Sequence, residues 1–415
     1  MAEFKPTEGQ AKALEAIRDL PKKYPEGGGI LLVSGYAGTG KTTLLRVIAH
    51  ENPNLFVLTP TGKAAVRVKE AAGCDAMTIH RWQYIPRKDD KTGEVKWDLR
   101  QSSELRVPPN RTLLVDEASM VTARVFQDLY YFCKALGLNI VLIGDGFQLA
   151  PVEHDPDKKH FSVFNLPDVE RVNLTEVLRQ ALENKIIRIS NDIRVKSDIT
   201  ESLMDLDIVP EDRLEPSLKE TWDNRGVIIC HRNRTRHDFN SRIRELRGLV
   251  KDELSADEPL LVTKNNYDLN VFNGEVFTIQ ALLDRHGPAA ITDFYKHKSM
   301  YMNFREIVLV DKIERACVSP EEVFGRTGDL DADAISKGAK RILRQAYTDP
   351  NSSAPPAYMH SNLGYVLTAH KSQGSEWPTA LVIVESSIKL STVEGRRWLY
   401  TALTRASDSV RVCWI

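Results

Sequence analysis

Apolar runs of strand length recur through the first part of the chain: GILLVSG, NLFVLTP, RTLLVDEAS and NIVLIGD. Each ends in polar or Gly-rich residues, and helical patterns such as TLLRVIAH lie between several of them. Runs that are apolar throughout, rather than alternating, read as strands buried on both faces. The pattern is that of a parallel sheet covered by helices. In such sheets ligands gather at the carboxyl ends of the strands.

A second αβ pattern starts near Val172. GVIICHRN reads as a strand, RTRHDFNSRIREL as a helix, and PLLVTKN and GEVFTIQALL as β. From about Leu283 to Pro356 the chain is mixed and polar, and ends in the loop-like TDPNSSAPPAY. YVLTAHKSQG and TALVIVES then resume the strand pattern, RRWLYTALTRA reads as a helix, and a last strand closes the chain. The polar stretch 84–109, with a Lys-Thr-Gly turn, reads as a small β-hairpin or as a disordered surface loop. The expected organisation is α/β: a first domain over 1–83 and 110–171, the hairpin over 84–109, a second domain over 172–282 and 357–415, and an insertion over 283–356.

Composition narrows the function classes. A chain of 415 residues is too long for one ordinary core. Net charge is -1, so a nucleic-acid partner would have to meet local positive charge rather than a global field. The five cysteines are scattered with no C-x-x-C pair, which argues against zinc or iron–sulfur sites and suits a reducing cytosol. No apolar run approaches membrane-spanning length and the N-terminus MAEFKPTEGQ is polar, so a cytoplasmic protein without signal peptide or membrane contact is expected.

The chemistry starts at Gly35-Tyr36-Ala37-Gly38-Thr39-Gly40-Lys41-Thr42, which fits G-x-x-x-x-G-K-[ST] between a strand and a helix. Backbone N–H groups of such a loop and the helix N-terminus cradle phosphates. Lys41 reaches the β/γ-phosphates of ATP, Thr42 ligates Mg²⁺, and Thr43 completes the nucleotide-contacting set. Asp116 and Glu117 end the run TLLV, where Asp116 suits the metal and Glu117 suits a general base for water. Gln148, after the next strand, has an amide that can sense the γ-phosphate.

GxxxxGKT, DEAS and GDGFQLAP in this order resemble superfamily 1 helicases. Further stretches make the resemblance specific to the RecD/Dda-like branch. TPTGKAA (59–65) is similar to motif Ia, TIH (78–80) to motif Ib, and LTEVLRQ (174–180) to motif IV. THE stretch TAHKSQGSE (368–376) is similar to motif V, YTALTRA (400–406) to motif VI, and PTEGQ (6–10) to the Q motif. Motif III departs from the family, with Leu149-Ala150-Pro151 where Leu-Pro-Pro is usual. The resemblance implies two RecA-like domains with the nucleotide between them and an SH3-like accessory insertion in the second. It also implies that Arg179 and Arg405 stabilise the charge of the transferring phosphoryl group, Gln10 reads adenine, Glu376 reaches the ribose, and the Gly374 backbone approaches the nucleotide or the strand.

Tracking a strand demands grips on its phosphates. Pro60, Thr61, Lys63 and His80 are expected to grip from the first domain, and Thr368, His370, Lys371 and Ser372 from the second. Trp82 either stacks a base or is a buried aromatic; Trp97 either stands at the duplex junction as a wedge or anchors the hairpin. Asn233 either contacts DNA or caps its helix, while the arginines of 225–247 read as a solvated helix face. The resemblance implies an ATP- and Mg²⁺-dependent helicase that moves 5′ to 3′ on single-stranded DNA, opens duplex at junctions, and works as a monomer with replication or recombination proteins. The alternatives are a DNA-stimulated ATPase or translocase without unwinding, or an adaptor subunit.

Overall fold

The computed structural model describes residues 5–52, 54–88, 95–151, 161–177, 183–266, 269, 271–293, 298–310, 315–327, 332–346 and 357–415. Contacts divide the chain into two compact units. Unit 1 comprises Met1–Asp207, Gln373–Pro378 and Ser387–Val410; unit 2 comprises Ile208–Ser372, Thr379–Ser386 and Arg411–Ile415.

Unit 1 is built on strands β1 (Ile30–Gly35), β2 (Phe56–Thr59), β3 (Asp75–Thr78), β6 (Thr112–Val115), β7 (Asn139–Gly144) and β8 (Glu170–Leu174), with the hairpin strands β4 (Tyr84–Lys88) and β5 (Val95–Leu99) outside the main sheet. The sheet order is β3-β2-β6-β7-β1-β8, and each neighbouring pair is parallel. The apolar strands feed two cores by simple alternation. Leu31, Val33, Val57, Leu114, Val141 and Ile143 pack on one face. Leu32, Phe56, Leu58, Leu113, Val115, Ile140 and Leu142 pack on the other. Period-2 side chains under helices on both faces explain why these strands read as unbroken apolar runs.

The stretch after the third strand does form a hairpin, with β4 and β5 antiparallel from Tyr84↔Leu99 to Lys88↔Val95. Tyr84 ties its base to the body through a hydrogen bond to Asp128.

Unit 2 holds most of a second sheet. Its strands are β9 (Asp207–Ile208), β10 (Val227–Cys230), β17 (Val366–Thr368), β18 (Trp377–Val384) and β19 (Ala406–Trp414), in the order β17-β10-β18-β19-β9. Strand β10 lies parallel to both β17 and β18. A third sheet, β15-β14-β13-β12-β11-β16, is antiparallel except at β14–β15. It comprises β11 (Pro259–Val262), the long pair β12 (Val276–Asp293) and β13 (Lys298–Leu309), β14 (Arg315–Val318), β15 (Ala357–Tyr358) and β16 (Ser361–Leu363). It therefore begins at Pro259, ahead of the expected boundary at 283. Apolar alternation marks a strand but not the sheet it joins.

The helix Ala332–Ala346 covers this sheet with Ile335, Ala339, Ile342 and Leu343, which pack on Ile291, Met302 and Phe304. Spacings of four, three and one place all four on one helical face. Gly338 permits the close approach, since a Cβ there would stand 1.9 Å from Ile291. Among the described residues, no helix is long and apolar enough to cross a membrane.

Candidate functional site

The phosphate loop sits at the carboxyl end of β1 and runs into the helix Lys41–Glu51. Gly38 and Gly40 have φ of +78° and +80°, a conformation that side chains rarely adopt. Thr39 turns inward, and its hydroxyl donates to the Tyr36 carbonyl at 2.8 Å. Lys41 lies over its own loop, with Nζ donating to the carbonyls of Gly35 (2.6 Å) and Tyr36 (3.0 Å). Arg194 stacks on the Tyr36 ring at 3.6 Å.

A cavity of about 380 Å³ opens here, and the loop shares it with Arg67, Asp116, Glu117, Gln148, Glu376 and Arg405. All of these belong to unit 1. Asp116 is carried on the end of β6, and its backbone N–H donates to Leu58 at 2.9 Å. Burial, then the adjacent Glu117 carboxylate, pushes its pKa up to about 7. Glu117 has φ +52°, the left-handed region, where a non-glycine residue stores about 1–3 kcal/mol of strain. Its Oε2 and the Oε1 of Gln148 are buried and meet no hydrogen-bond partner among the described residues. Buried acceptors without donors beside a carboxylate that burial disfavours are what a hydrated divalent cation and a water would satisfy, so the donor set fits Mg²⁺.

Arg405 is buried and held by three bonds, from Nε to the Thr401 carbonyl (3.0 Å), Nη1 to the Ser375 carbonyl (3.0 Å) and Nη2 to Thr404 Oγ1 (3.3 Å). Burial lowers its pKa and nearby Glu117 opposes that. Arg67 stands between two carboxylates, with Nη2 at 3.1 Å from Glu376 Oε2 and Nη1 at 3.8 Å from Glu117 Oε1. The Tyr400 hydroxyl donates to Asp145 Oδ2 at 2.6 Å and accepts from the Ala37 N–H at 2.8 Å. Burial, then Asp145, holds this phenol well above its usual pKa, so it stays a donor. The relay joins the phosphate loop, the end of β7 and the helix Val393–Leu403.

Away from the nucleotide loop, Thr61 caps the helix Gly62–Ala72, accepting from the Ala64 N–H at 3.2 Å. Lys63 lies over the Trp377 ring at 4.7 Å. Pro60 and His80 line a second cavity with Tyr84 and Arg124, and burial, then Arg124, lowers the His80 pKa. In unit 2, Lys371 Nζ donates to Asn273 Oδ1 at 2.9 Å, and its N–H bonds Thr368 Oγ1 at 3.4 Å.

The sequence pattern of the AAA domain matches residues 6–207, and that of the UvrD-like helicase C-terminal domain matches 363–413. The ATP-dependent RecD2 DNA helicase of Deinococcus radiodurans is 25% identical over 402 residues, 91% of this chain and 46% of that protein. The RecBCD enzyme subunit RecD of Mycobacterium tuberculosis is 25% identical over 92% of this chain and 66% of its own length. A crystal structure of Pif1 helicase from Bacteroides, in complex with ADP-AlF3 and ssDNA, matches 99% of this chain and 92% of that one, with a TM-score of 0.56 at 17% identity. The chain is similar to the RecD- and Pif1-like helicases of superfamily 1. It spans less than two thirds of the length of the curated relatives named here. The likeness to Pif1 also shows the fold, two RecA-like domains.

Several expectations from the sequence need correction. Gln10 is 1% exposed, and its amide is spent inside the protein: Oε1 accepts from Thr7 N–H at 3.0 Å and Nε2 donates to the Thr39 carbonyl at 3.3 Å. It braces the loop and has no bidentate face left for adenine. Trp82 is 2% exposed, donates through Nε1 to the Arg106 carbonyl and packs edge-on against Phe132, so it is core and cannot stack a base. Ser372 is fully buried with its hydroxyl on the Ala369 carbonyl, which removes it from the strand grips. Asn233 is the first residue of its helix and is exposed; Arg232 stands at the cap position, so the capping reading fails.

Thr42 lines the cavity, and Thr43 follows it in the first turn of the helix. Gly374, with φ +72°, lies beside Thr61, where an added Cβ would be 3.6 Å from its hydroxyl. Arg179 and the Trp97 side chain lie outside the described residues. Sequence reasoning missed Arg67, Asp145 and Tyr400. A signal for Arg67 was present, four residues after Lys63 and hence on the same helical face.

Proposed function

We infer that this chain is an ATP-dependent DNA helicase. It hydrolyses ATP in the unit 1 cavity, moves 5′ to 3′ along single-stranded DNA and opens duplex at junctions, as a cytoplasmic monomer serving replication or recombination proteins. The observation that carries the reading is the pair of orphaned acceptors, Glu117 Oε2 and Gln148 Oε1, in one cavity with Lys41 and Arg405. A carboxylate oxygen kept free of donors is what a general base needs, and an amide oxygen beside it can orient the attacking water.

In this reading Lys41 leaves the Gly35 and Tyr36 carbonyls for the β/γ-phosphates when ATP enters. Thr42 and Asp116 hold Mg²⁺, which when bound neutralises phosphate charge. Glu117 takes the proton of the water, and Arg405 neutralises the equatorial oxygens, an effect worth about 10³–10⁵ in rate for such an arginine. Arg67 stands ready to release Glu117. Pro60, Thr61, Lys63, His80, Asn233, Thr368, His370 and Lys371 hold the strand.

The RecD2 relative is named a DNA helicase and the Pif1 neighbour was crystallised with ssDNA, which supports DNA as the polymer. The test is ATPase activity with and without oligo-dT, beside strand displacement on 5′-tailed and 3′-tailed duplexes. Stimulation with opening of the 5′-tailed substrate is expected. Stimulation without displacement on either substrate would reduce the chain to a translocase, and no stimulation would end the DNA-motor reading.

A further inference from the structure

The carboxyl edge of the sheet in unit 2 gathers basic side chains that the nucleotide cavity does not use. Strands β10 and β17 end side by side, with Cys230 opposite Thr368. His231 follows one strand and His370 and Lys371 the other. The helix Asn233–Leu246 starts here with no acidic residue in its first turn and with Arg236 on its buried face, together with Phe239, Asn240 and Ile243. A helix N-terminus already carries partial positive charge and disfavours another cation.

Arg236 is 5% exposed. Its Nη2 donates to Asn362 Oδ1 at 3.1 Å and lies 3.1 Å from His237 Nε2, while Nε and Nη1 are buried with no partner among the described residues. It stands close enough to Lys371 that, after burial, its charge is what lowers the lysine pKa. Lys371 in turn bonds an amide, Asn273, rather than a carboxylate. The carboxylate of Glu385 at this edge is spent on the N–H groups of His231 (3.1 Å) and Arg232 (3.0 Å) and on the Arg232 guanidinium.

A buried guanidinium with idle donors and no counter-ion is far costlier than an apolar side chain of the same volume. The position faces the core at helical spacing, so an apolar residue would fit the pattern. A charge kept there at such a cost needs an anion that arrives later. We propose that Arg236, with Lys371, binds one backbone phosphate of the nucleic-acid strand held by unit 2. This rests on the DNA reading above and adds to it a residue that no motif contains. The idle N–H groups are shielded in this conformation, so the phosphate enters by displacing a neighbouring side chain, into a dry setting where its charge counts for more than in water. Because phosphate is the ligand, the contact is indifferent to base sequence.

The test is binding of labelled oligo-dT to the full chain as salt is raised, for wild type, R236L and R236K, with melting temperatures alongside. Each phosphate neutralised on a single strand contributes about −0.7 to the slope of log K against log[salt]. R236L is expected to flatten the slope by about that amount and to bind about tenfold more weakly, while R236K keeps the slope. R236L is also expected to melt no lower than wild type, which a purely structural arginine would not allow. If R236L does not fold, R236Q takes its place in the same titration. Equal slope and affinity in wild type and the uncharged variant would overturn the proposal. So would a melting shift by inorganic phosphate that needs Arg236 while oligo-dT binding does not, since the site would then take a free anion. A wild type that fails to bind oligo-dT would instead overturn the DNA reading itself.

Discussion

At the scale of single residues, the cavity is defined by what is left unsatisfied. Glu117→Gln keeps the shape and removes the base, so ATP should still bind while turnover falls about 10²–10⁴-fold; nucleotide affinity and steady-state rate measured together check this. Wild-type turnover in that variant would remove Glu117 from the mechanism. Tyr400→Phe tests the relay. It keeps the edge-on contact with Phe147 and removes the hydroxyl between Ala37 and Asp145. A loss of about 1–3 kcal/mol in stability is expected, because Asp145 is buried and loses a donor. Denaturant unfolding reads it, and ATP should bind more weakly as the loop loosens. The loop and the acidic pair were legible because spacing alone marks them. Tyr400 was visible only as a letter in a motif, since its two partners are remote in sequence and nothing local signals them.

At the scale of elements, two predictions separate bracing from recognition. Gln10 ties the helix Glu8–Lys23 to the phosphate loop, so Gln10→Ala should weaken ATP and GTP alike. A selective loss of ATP binding would restore adenine reading, and competition binding with both nucleotides distinguishes the outcomes. The hairpin β4–β5 offers the other case. Opening duplex costs on the order of 1.4 kcal/mol per base-pair step, which a rigid element at the junction helps to meet. Trp97→Ala is expected to keep DNA-stimulated ATPase and lose strand displacement; a parallel fall in both, or lower thermal stability alone, would make Trp97 an anchor. The hairpin was readable from its turn and flanking alternation. The third sheet was placed too late because PLLV and GEVFTIQALL look the same in either sheet, and only long-range pairing with β16 and β13 decides.

At the scale of the whole molecule, charge sets the expectation. With a net charge of -1, binding should rest on a few local phosphate contacts, giving a salt slope of about −2 to −4 for single-stranded DNA. A much steeper slope, or none, in a fluorescence titration would contradict a local grip. The second αβ pattern was legible from its strands. Residues 373–378 and 387–410 were assigned with it because they follow it in sequence, yet their contacts belong with unit 1. Packing, unlike periodicity, is not written in any short window.

That exchange of chain between units bears on how the protein is made. Unit 1 contains Met1–Asp207 but also Ser387–Val410, which supplies Tyr400 and Arg405. On a ribosome adding about 5–20 residues per second, the stretch from Asp207 to Val410 takes on the order of 10–40 s to emerge. Through that interval Asp145 and the Ala37 N–H have no Tyr400 to meet, and the nascent phosphate loop is unlatched. The nucleotide cavity therefore matures only after the antiparallel sheet has been synthesised, and a fragment ending at Asp207 should be competent neither to hydrolyse ATP nor to resist proteolysis around the loop.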